Sequence, residues 1–140
     1  MAYTKSAKIS WTGEALNFSG TVDSGYPVVM KNTADEEGAS PMALFLGSVA
    51  GCTAMDVLSI VQKKRQQVDG MEIEIVGKRA EDHPMVFTEV DITYILYGKD
   101  IDPAAVERAI ELSQTRYCSA SITFVRAGVD VNTHYEIREG

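Results

Sequence analysis

Short segments in which apolar and polar residues alternate make up much of this chain. They predict β-strands, because every second side chain of a strand points to the same face. The clearest example is the segment 87–99, where Val90, Ile92, Tyr94 and Leu96 alternate with polar residues. Glycines and other turn formers separate the segments. The predicted strands are 7–11, 15–22, 26–31, 71–78, 87–99, 121–126 and 129–139.

Two other segments predict helices, each opened by a capping residue and a proline. Ser40–Pro41 begins a long apolar helix that continues to about Gln66, and Asp102–Pro103 begins a shorter helix that ends near Cys118. The polar and acidic segment 32–39, which precedes the long helix, predicts a loop.

The order of these elements, βββ-α-ββ-α-ββ, places the strands in adjacent runs, which is typical of the α+β class. Neither an internal repeat nor a proline-rich or glycine-rich linker interrupts residues 1–140. Hydrophobic residues make up 45% of the chain, enough to bury a core without a disulfide scaffold or a structural metal. We therefore expect a single domain.

The long predicted helix contains a run, residues 42–61, that has the length of a membrane span. Its one charged residue is Asp56, and a carboxylate at the bilayer centre costs about 2.5–3.5 kcal/mol on insertion scales. The alternating strands elsewhere need water on one face. A helix buried in a protein core is therefore favoured over a membrane span.

The charge balance limits the partners of the chain. Lys and Arg number 13 against 20 Asp and Glu, so the net charge is −7, and nucleic acid or an anionic membrane would be repelled. Two cysteines are too few for a disulfide-rich secreted domain, and the N-terminal residues lack the apolar core of a signal peptide. We expect a cytoplasmic protein whose thiols stay reduced unless chemistry oxidises them.

A polar track runs along the long helix, because steps of three or four residues keep its members on one side. It consists of Ser48, Cys52, Asp56, Ser59 and Lys63. One interpretation is the solvent face of an amphipathic helix. The other is a thiol in a half-buried groove, since the small residues around Cys52 leave room for a substrate or a second chain to approach the sulfur.

Cys52 and Cys118 are the candidate reactive groups. Asp56 lies one turn beyond Cys52, and a carboxylate there disfavours the thiolate that would act as the nucleophile. Cys118 is predicted at the C-terminal end of its helix, where the helix dipole disfavours a thiolate, although Arg116 is two residues away. Two interpretations remain open. The cysteines form a functional pair in which Cys118 is the resolving partner, or both only pack in a core.

The chain contains no recognisable metal or cofactor motif. His83 and His134 are isolated, and together with the two scattered cysteines they match no zinc pattern. A glycine-rich phosphate loop, an HExxH motif and a GxSxG motif are also absent from the sequence. We therefore expect neither a metal nor a cofactor.

Taken together, three features of the sequence resemble the OsmC/Ohr superfamily of bacterial stress proteins. They are the Ser40–Pro41 cap after three strands, the cysteine in the helical segment GSVAGCTAMDVLSIVQKKR, and the second cysteine in ELSQTRYCSASITF. The resemblance implies an OsmC-like fold in which antiparallel sheets wrap a long central helix. It also implies an intertwined homodimer, with the cysteine pair near the subunit interface.

The resemblance further implies an activity, because characterised members of the superfamily are thiol-dependent peroxidases that reduce organic hydroperoxides. Carried over to this chain, Cys52 would be the peroxidatic thiolate that becomes a sulfenic acid. Cys118 would resolve it as a disulfide, which an external dithiol would then reduce. The apolar face of the helix would offer a site for a small apolar hydroperoxide.

Two departures from the peroxidase pattern assign the chain to an OsmC-like subgroup without the peroxidase Arg–Glu pair. Met42 stands where those enzymes have a glutamate, and the first arginine of the chain is Arg65, so no arginine comes from the N-terminal strands. That arginine would lower the thiol pKa and orient the peroxide. Arg116 is the candidate replacement, and Asp56 a second candidate modulator of the thiol.

Three hypotheses follow from the sequence. The first is a thiol-dependent hydroperoxide reductase that uses Cys52 and Cys118. The second is a non-catalytic dimeric module that binds a small apolar ligand. The third is a thiol redox sensor in which the disulfide changes the shape of the dimer without turnover.

Overall fold

The computed structural model describes residues 4–23, 25–31 and 39–139. Contacts divide the chain into two compact units, Met1–Phe45 and Leu46–Gly140. Most of the loop predicted at 32–39 lies outside the described residues. Organisation as a single domain stays a prediction.

The N-terminal unit contains a three-stranded antiparallel sheet in the order β1-β2-β3. Its strands are β1 (Ala7–Trp11), β2 (Phe18–Val22) and β3 (Tyr26–Met30). Gly20 is required in β2, because a Cβ there would lie 1.9 Å from the carbonyl oxygen of Lys8. The three strands predicted at the start of the chain are therefore confirmed.

Helix α1 (Pro41–Lys63) begins at the predicted cap, where Ser40 Oγ accepts the backbone N–H of Ala43 at 3.2 Å. By length and composition α1 could cross a membrane, as some core helices of soluble proteins also could. One side of α1 is buried within the C-terminal unit. The buried residues are Val49, Thr53, Val57 and Val61.

Helix α1 ends three residues before the predicted Gln66. Arg65 adopts a left-handed backbone conformation with φ of 62°, which stops the helix. The side chain of Gln66 is used elsewhere: its Oε1 accepts the backbone N–H of Asp102 at 2.8 Å. The chain is thereby tied to the loop that precedes the second helix.

The C-terminal unit contains a second three-stranded sheet, in the order β4-β5-β6. Its strands are β4 (Gly70–Arg79), β5 (Phe87–Tyr97) and β6 (Asp130–Arg138). The central strand β5 buries Val90, Ile92, Tyr94 and Leu96, as its alternation predicts. Strand β4 pairs with β5 in antiparallel register, whereas β6 pairs with β5 in parallel register.

The strand predicted at 121–126 is wrong, because these residues belong to helix α3 (Ser119–Arg126). Parallel strands cannot be joined by a hairpin, so the connection from β5 to β6 must cross over and return. Helix α3 completes that crossover and turns Ser121 and Phe124 into the core. The α+β class is confirmed, but only the first sheet is wholly antiparallel, and the second is mixed.

The crossover begins with helix α2 (Pro103–Leu112), whose predicted cap is confirmed because Asp102 Oδ1 accepts the N–H of Ala104 at 3.0 Å. A single π-helical turn, Ser113–Tyr117, follows α2 and leads to Cys118. The predicted second helix therefore consists of two parts. Turns of this kind are often found at functional sites.

Candidate thiol site

The structure brings the two cysteines together within the C-terminal unit. Cys52 lies half-buried in the middle of α1, and Cys118 is fully buried at the start of α3. Both are free thiols. Cys118 raises the pKa of Cys52 through a side-chain hydrogen bond and through its charge, so the two groups are direct neighbours.

Both sulfurs face the first turn of α3. The backbone N–H of Ser121 donates to Cys118 Sγ at 3.4 Å, which makes Cys118 the N-cap of this helix. A backbone hydrogen bond from Ala120 acts on Cys52 and lowers its pKa. The amides at the start of one helix are thus shared between the two cysteines.

The environment of Cys118 corrects the electrostatic argument made from the sequence. The sequence pattern predicts Cys118 at the C-terminal end of a helix, where the dipole disfavours negative charge. In the structure Cys118 instead caps the N-terminus of α3, where the partial positive charge of the helix favours negative charge on a neighbouring atom. The difference follows directly from the helix that replaces the predicted strand.

The pKa of the Cys52 thiol is raised from its ordinary value of 9.0. Burial is the largest cause, and the Cys118 thiol and the negative charge of Asp56 raise it further, against the opposing hydrogen bond from Ala120. The effect of Asp56 has the direction that its position one turn beyond Cys52 suggested. Cys52 is therefore held mainly as a thiol at neutral pH.

A buried network of polar side chains lies next to the cysteine pair. Thr53 Oγ1 is 2.6 Å from the Tyr94 hydroxyl and 2.8 Å from Ser113 Oγ. The side-chain nitrogen of Gln114 lies 3.1 Å from the Tyr94 hydroxyl and 3.3 Å from Ser121 Oγ. The network joins α1, β5, the π-helical turn and α3, and no described buried side-chain polar atom lacks a partner.

Asp56 connects this network to the protein surface. Its Oδ2 accepts the hydroxyl hydrogen of Ser113 at 3.1 Å. Asp56 also lines a cavity of about 380 Å³ together with Ser59, Lys63 and Tyr117. The carboxylate therefore contacts the buried network and borders an open cavity.

The polar track predicted on α1 is divided by its surroundings. Cys52 and Asp56 are half-buried, whereas Ser48, Ser59 and Lys63 are exposed. The two ends of the track thus fit the solvent-face interpretation. Its centre fits the interpretation as a thiol in a half-buried groove.

Arg116 is exposed, and its charge is not among the causes that shift the pKa of Cys52. Its guanidinium carbon is 5.5 Å from the centre of the Tyr117 ring, and it lines a cavity of about 310 Å³ with Arg126. Within the described residues, the charged groups that shift the pKa of Cys52 are Cys118 and Asp56. The described part of the chain also holds no cluster of three His, Cys, Asp or Glu side chains suited to a metal.

The network residues Thr53, Tyr94, Gln114 and Ser121 are members of the site that the sequence pattern does not identify. Thr53 and Tyr94 carry hydroxyls at positions that the apolar pattern places in the core. A buried polar group requires a hydrogen-bond partner, so these two hydroxyls were the available signal. Their partners come from segments distant in sequence, which the pattern does not identify.

Comparisons with known proteins agree with this architecture. The family model described as OsmC-like protein matches residues 34–134. Protein YhfA of Escherichia coli (strain K12) is 37% identical over 131 residues, which cover 94% of this chain and 96% of YhfA. A hypothetical protein from Aquifex aeolicus VF5 has a crystal structure that matches with 30% identity and a TM-score of 0.87, over 99% of each chain.

A more distant structure shows the same fold. The organic hydroperoxide resistance protein OhrB of Bacillus subtilis is 22% identical, with a TM-score of 0.62, over 96% of this chain and 98% of OhrB. The family model covers most of the present chain, and YhfA aligns over nearly all of it. The chain therefore belongs to the OsmC-like protein family.

Proposed function

We propose that this protein is a thiol-dependent reductase of organic hydroperoxides that uses Cys52 and Cys118. The observation that carries the proposal is the convergence of both sulfurs on the first turn of α3. Amides at a helix N-terminus stabilise negative charge on sulfur or oxygen. The related Bacillus subtilis protein is named for organic hydroperoxide resistance.

The first step of the proposed reaction takes place at Cys52. Its thiolate attacks the terminal oxygen of the hydroperoxide, a new S–O bond forms and the O–O bond breaks. The leaving alkoxide takes up a proton and departs as an alcohol. Cys52 is thereby oxidised to a sulfenic acid and the hydroperoxide is reduced.

Cys118 carries out the second step. Its sulfur attacks the Cys52 sulfenic acid, a disulfide forms, and the hydroxyl group leaves as water with the proton of the Cys118 thiol. An external dithiol then reduces the disulfide and is itself oxidised to a disulfide. The cytosol is the proposed compartment, because such reductants keep thiols reduced there.

The raised pKa of Cys52 limits this reaction, because only the thiolate attacks the peroxide. A cation beside the sulfur would lower that pKa. Arg116 is the proposed source, together with a rearrangement that brings it from its place over Tyr117 to the substrate. Asp56 opposes such a cation and is the second proposed modulator.

A homodimer is the proposed working form. The outer side of α1 is apolar at its centre, where Met55 is 75% exposed. The resemblance to the OsmC/Ohr superfamily implies an intertwined homodimer, and a second copy would cover this exposed side chain. The expected interface would also bring a second chain close to the half-buried side of Cys52.

The test is the consumption of cumene hydroperoxide with dithiothreitol as the external dithiol. We expect turnover in the wild-type protein, none in Cys52→Ser, and turnover in the matched control Ser59→Ala, which changes an exposed residue of α1. When the hydroperoxide is added without dithiothreitol, Cys118→Ser should stop at the sulfenic acid of Cys52. A Cys52→Ser variant that consumes hydroperoxide as fast as the wild type would refute the proposal.

A second candidate function is the binding of a small apolar ligand. It is favoured by a cavity of about 370 Å³ within the N-terminal unit, which is lined mainly by apolar side chains, including Ile9, Leu16, Phe18 and Met30. A co-purified lipid or organic acid in mass spectra, together with an unreactive Cys52, would support it. Oxidation of one cysteine pair per chain without turnover would instead support a redox sensor.

A further inference from the structure

A chain of three hydroxyl groups leads from Asp56 into the interior beside the cysteines. Ser113 donates to Asp56 Oδ2, and its oxygen lies 2.8 Å from Thr53 Oγ1, which in turn lies 2.6 Å from the Tyr94 hydroxyl. Each hydroxyl has one hydrogen to donate. Because the hydrogen of Ser113 is used on Asp56, Thr53 must donate to Ser113 and Tyr94 must donate to Thr53.

The direction of this chain also fixes the amide of Gln114. Its side-chain nitrogen lies 3.2 Å from Thr53 Oγ1 and 3.1 Å from the Tyr94 hydroxyl. Both oxygens have already donated their hydrogens along the chain, so they can only accept from Gln114. The amide must therefore present its NH2 group to them, and its other hydrogen reaches Ser121 Oγ at 3.3 Å.

The same arrangement reaches the sulfur of Cys118. Ser121 receives the Gln114 amide on its side chain and donates its backbone N–H to Cys118 Sγ. Tyr94 interacts electrostatically with both Cys118 and Asp56. Burial is the largest cause of the raised pKa of Tyr94, and the charges of Cys118 and Asp56 each raise it further. A continuous set of contacts thus joins Asp56 to Cys118.

We propose that Asp56 is a positioning residue for Cys118, because its carboxylate fixes the direction of the Ser113–Thr53–Tyr94 hydroxyl chain and the orientation of the Gln114 amide beside Ser121. The proposal rests on the proposed function only in that the two cysteines react with each other. It assigns Asp56 two opposite effects. The charge of Asp56 disfavours the Cys52 thiolate. The hydrogen bond from Ser113 to Asp56 acts through the hydroxyl chain and Gln114 to hold Cys118 in position for attack.

Replacement of Asp56 by asparagine separates these effects. The amide of asparagine can donate to Ser113 as well as accept from it, so the hydroxyl chain is free to reverse. If it reverses, Tyr94 no longer donates to Thr53, and its hydrogen meets the NH2 group of Gln114. The amide must then turn so that its carbonyl oxygen accepts from Tyr94, and Ser121 Oγ must donate to that oxygen where it previously accepted from the NH2 group.

The two effects can be measured in one reaction with dithiobis-nitrobenzoate, an aromatic disulfide. In the first phase the Cys52 thiolate attacks the reagent, forms a mixed disulfide and displaces one coloured aromatic thiolate. In the second phase the Cys118 thiol loses its proton to solvent and its sulfur attacks Cys52 in the mixed disulfide. The Cys52–Cys118 disulfide forms and a second aromatic thiolate leaves. The second phase is intramolecular and reports the readiness of Cys118.

We expect Asp56→Asn to accelerate the first phase and to slow the second by roughly threefold to tenfold, as for the loss of one member of a coupled network. Ser113→Ala keeps the charge of Asp56 but interrupts the hydroxyl chain. Its first phase should therefore match that of the wild type, and its second phase should be as slow as that of Asp56→Asn. Asp56→Glu should retain the wild-type second phase. Glu74→Gln, which removes an exposed carboxylate on β4, is the matched control for charge.

The double variant Asp56→Asn/Ser113→Ala gives the decisive comparison. If both residues act through one chain, its second phase should be no slower than that of Asp56→Asn alone. Multiplied effects, or an Asp56→Asn second phase as fast as the wild type, would overturn the proposal. Should Ser113→Ala fail to fold, Thr53→Val cuts the same chain. A wild-type protein without any second phase would refute the cysteine pair, and with it both proposals.

Discussion

The backbone N–H of Ser121 donates to the sulfur of Cys118 at 3.4 Å, so that a cysteine serves as the N-cap of α3. Serine, threonine, aspartate and asparagine are the preferred residues at this position, because an oxygen accepts the amide hydrogen more strongly than sulfur does. The stability of α3 and the chemistry of Cys118 are therefore linked through one hydrogen bond.

Two replacements of Cys118 distinguish its role as the N-cap of α3 from its role as a thiol. Cys118→Ser keeps an acceptor at the N-cap, whereas Cys118→Ala removes it. We expect the alanine variant to have a free energy of unfolding lower by about 1 kcal/mol than the serine variant, the typical cost of a lost cap. Urea denaturation followed by circular dichroism measures the difference. Equal stabilities would show that Cys118 does not cap α3.

The reactivity of Cys52 should also change when Cys118 is replaced. Cys118→Ala removes a hydrogen bond and a charge that both raise the pKa of Cys52, so this pKa should fall. The thiolate fraction at neutral pH then increases, and alkylation of Cys52 by iodoacetamide becomes faster. The pH profile of alkylation, read by mass spectrometry, gives the pKa directly. Ser119→Ala, the exposed neighbour on α3, is the control and should leave the profile unchanged.

Cys118 also marks the limit of prediction from the sequence. The cysteines, their order and the two proline caps are local features, and the pattern located all of them. Residues 121–126 were predicted as a strand because isoleucine, threonine, phenylalanine and valine favour strands. Only the parallel pairing of β6 with β5, a contact between distant segments, requires a crossover here and thus selects the helix.

The polar network shows the same limit at the level of the site. Thr53 and Tyr94 are 41 positions apart, and Thr53 and Gln114 are 61 apart. The alternation in β5 correctly placed Tyr94 in the core, and the helical pattern could place Thr53 on one face. Which hydroxyl meets which is decided by the packing of α1 on the second sheet and by the π-helical turn, which no local pattern encodes.

The hydroxyl of Tyr94 should contribute to stability because both of its partners are partly or fully buried. Tyr94→Phe removes the contact with Thr53 at 2.6 Å and one contact of Gln114, while both residues keep other partners. The expected loss in the free energy of unfolding is therefore that of a buried hydrogen bond, about 0.5–1.5 kcal/mol. Urea denaturation provides the measurement. Tyr97→Phe, on the same strand but with its hydroxyl bonded to exposed Glu72, should lose clearly less.

Alkaline pH should destabilise the protein through Tyr94 and Cys52. The pKa of Tyr94 is raised from 10.0, chiefly by burial, so the folded state keeps its proton at a pH where the unfolded chain has lost it. The contribution of this group to stability is therefore complete below about pH 10 and disappears as the pH rises through the folded pKa. The Cys52 thiol acts in the same direction, from its ordinary value of 9.0 upward.

The measurement compares urea denaturation at neutral pH and at about pH 10.5, where the unfolded chain has begun to lose these protons. We expect the wild-type protein to lose stability over this interval and the Tyr94→Phe variant to lose less, since phenylalanine does not titrate. Tyr26→Phe, which removes the hydroxyl of an exposed tyrosine on β3, is the comparison. If Tyr94→Phe shows the same loss as the wild type, ionisation of Tyr94 does not contribute to alkaline unfolding.

The outer side of α1 offers the last prediction, because it tests the proposed homodimer. Met55 is 75% exposed, and it lies on the side of the helix opposite the buried stripe that contains Thr53 and Val57. A glutamate at this position would place a charge in the interface, and an unpaired buried charge is strongly unfavourable. Sedimentation velocity should show a dimer for the wild type and a shift toward monomer for Met55→Glu. Val86→Glu, which changes an exposed apolar residue before β5, is the matched control and should remain dimeric. A wild-type protein that sediments as a monomer would refute the proposed homodimer.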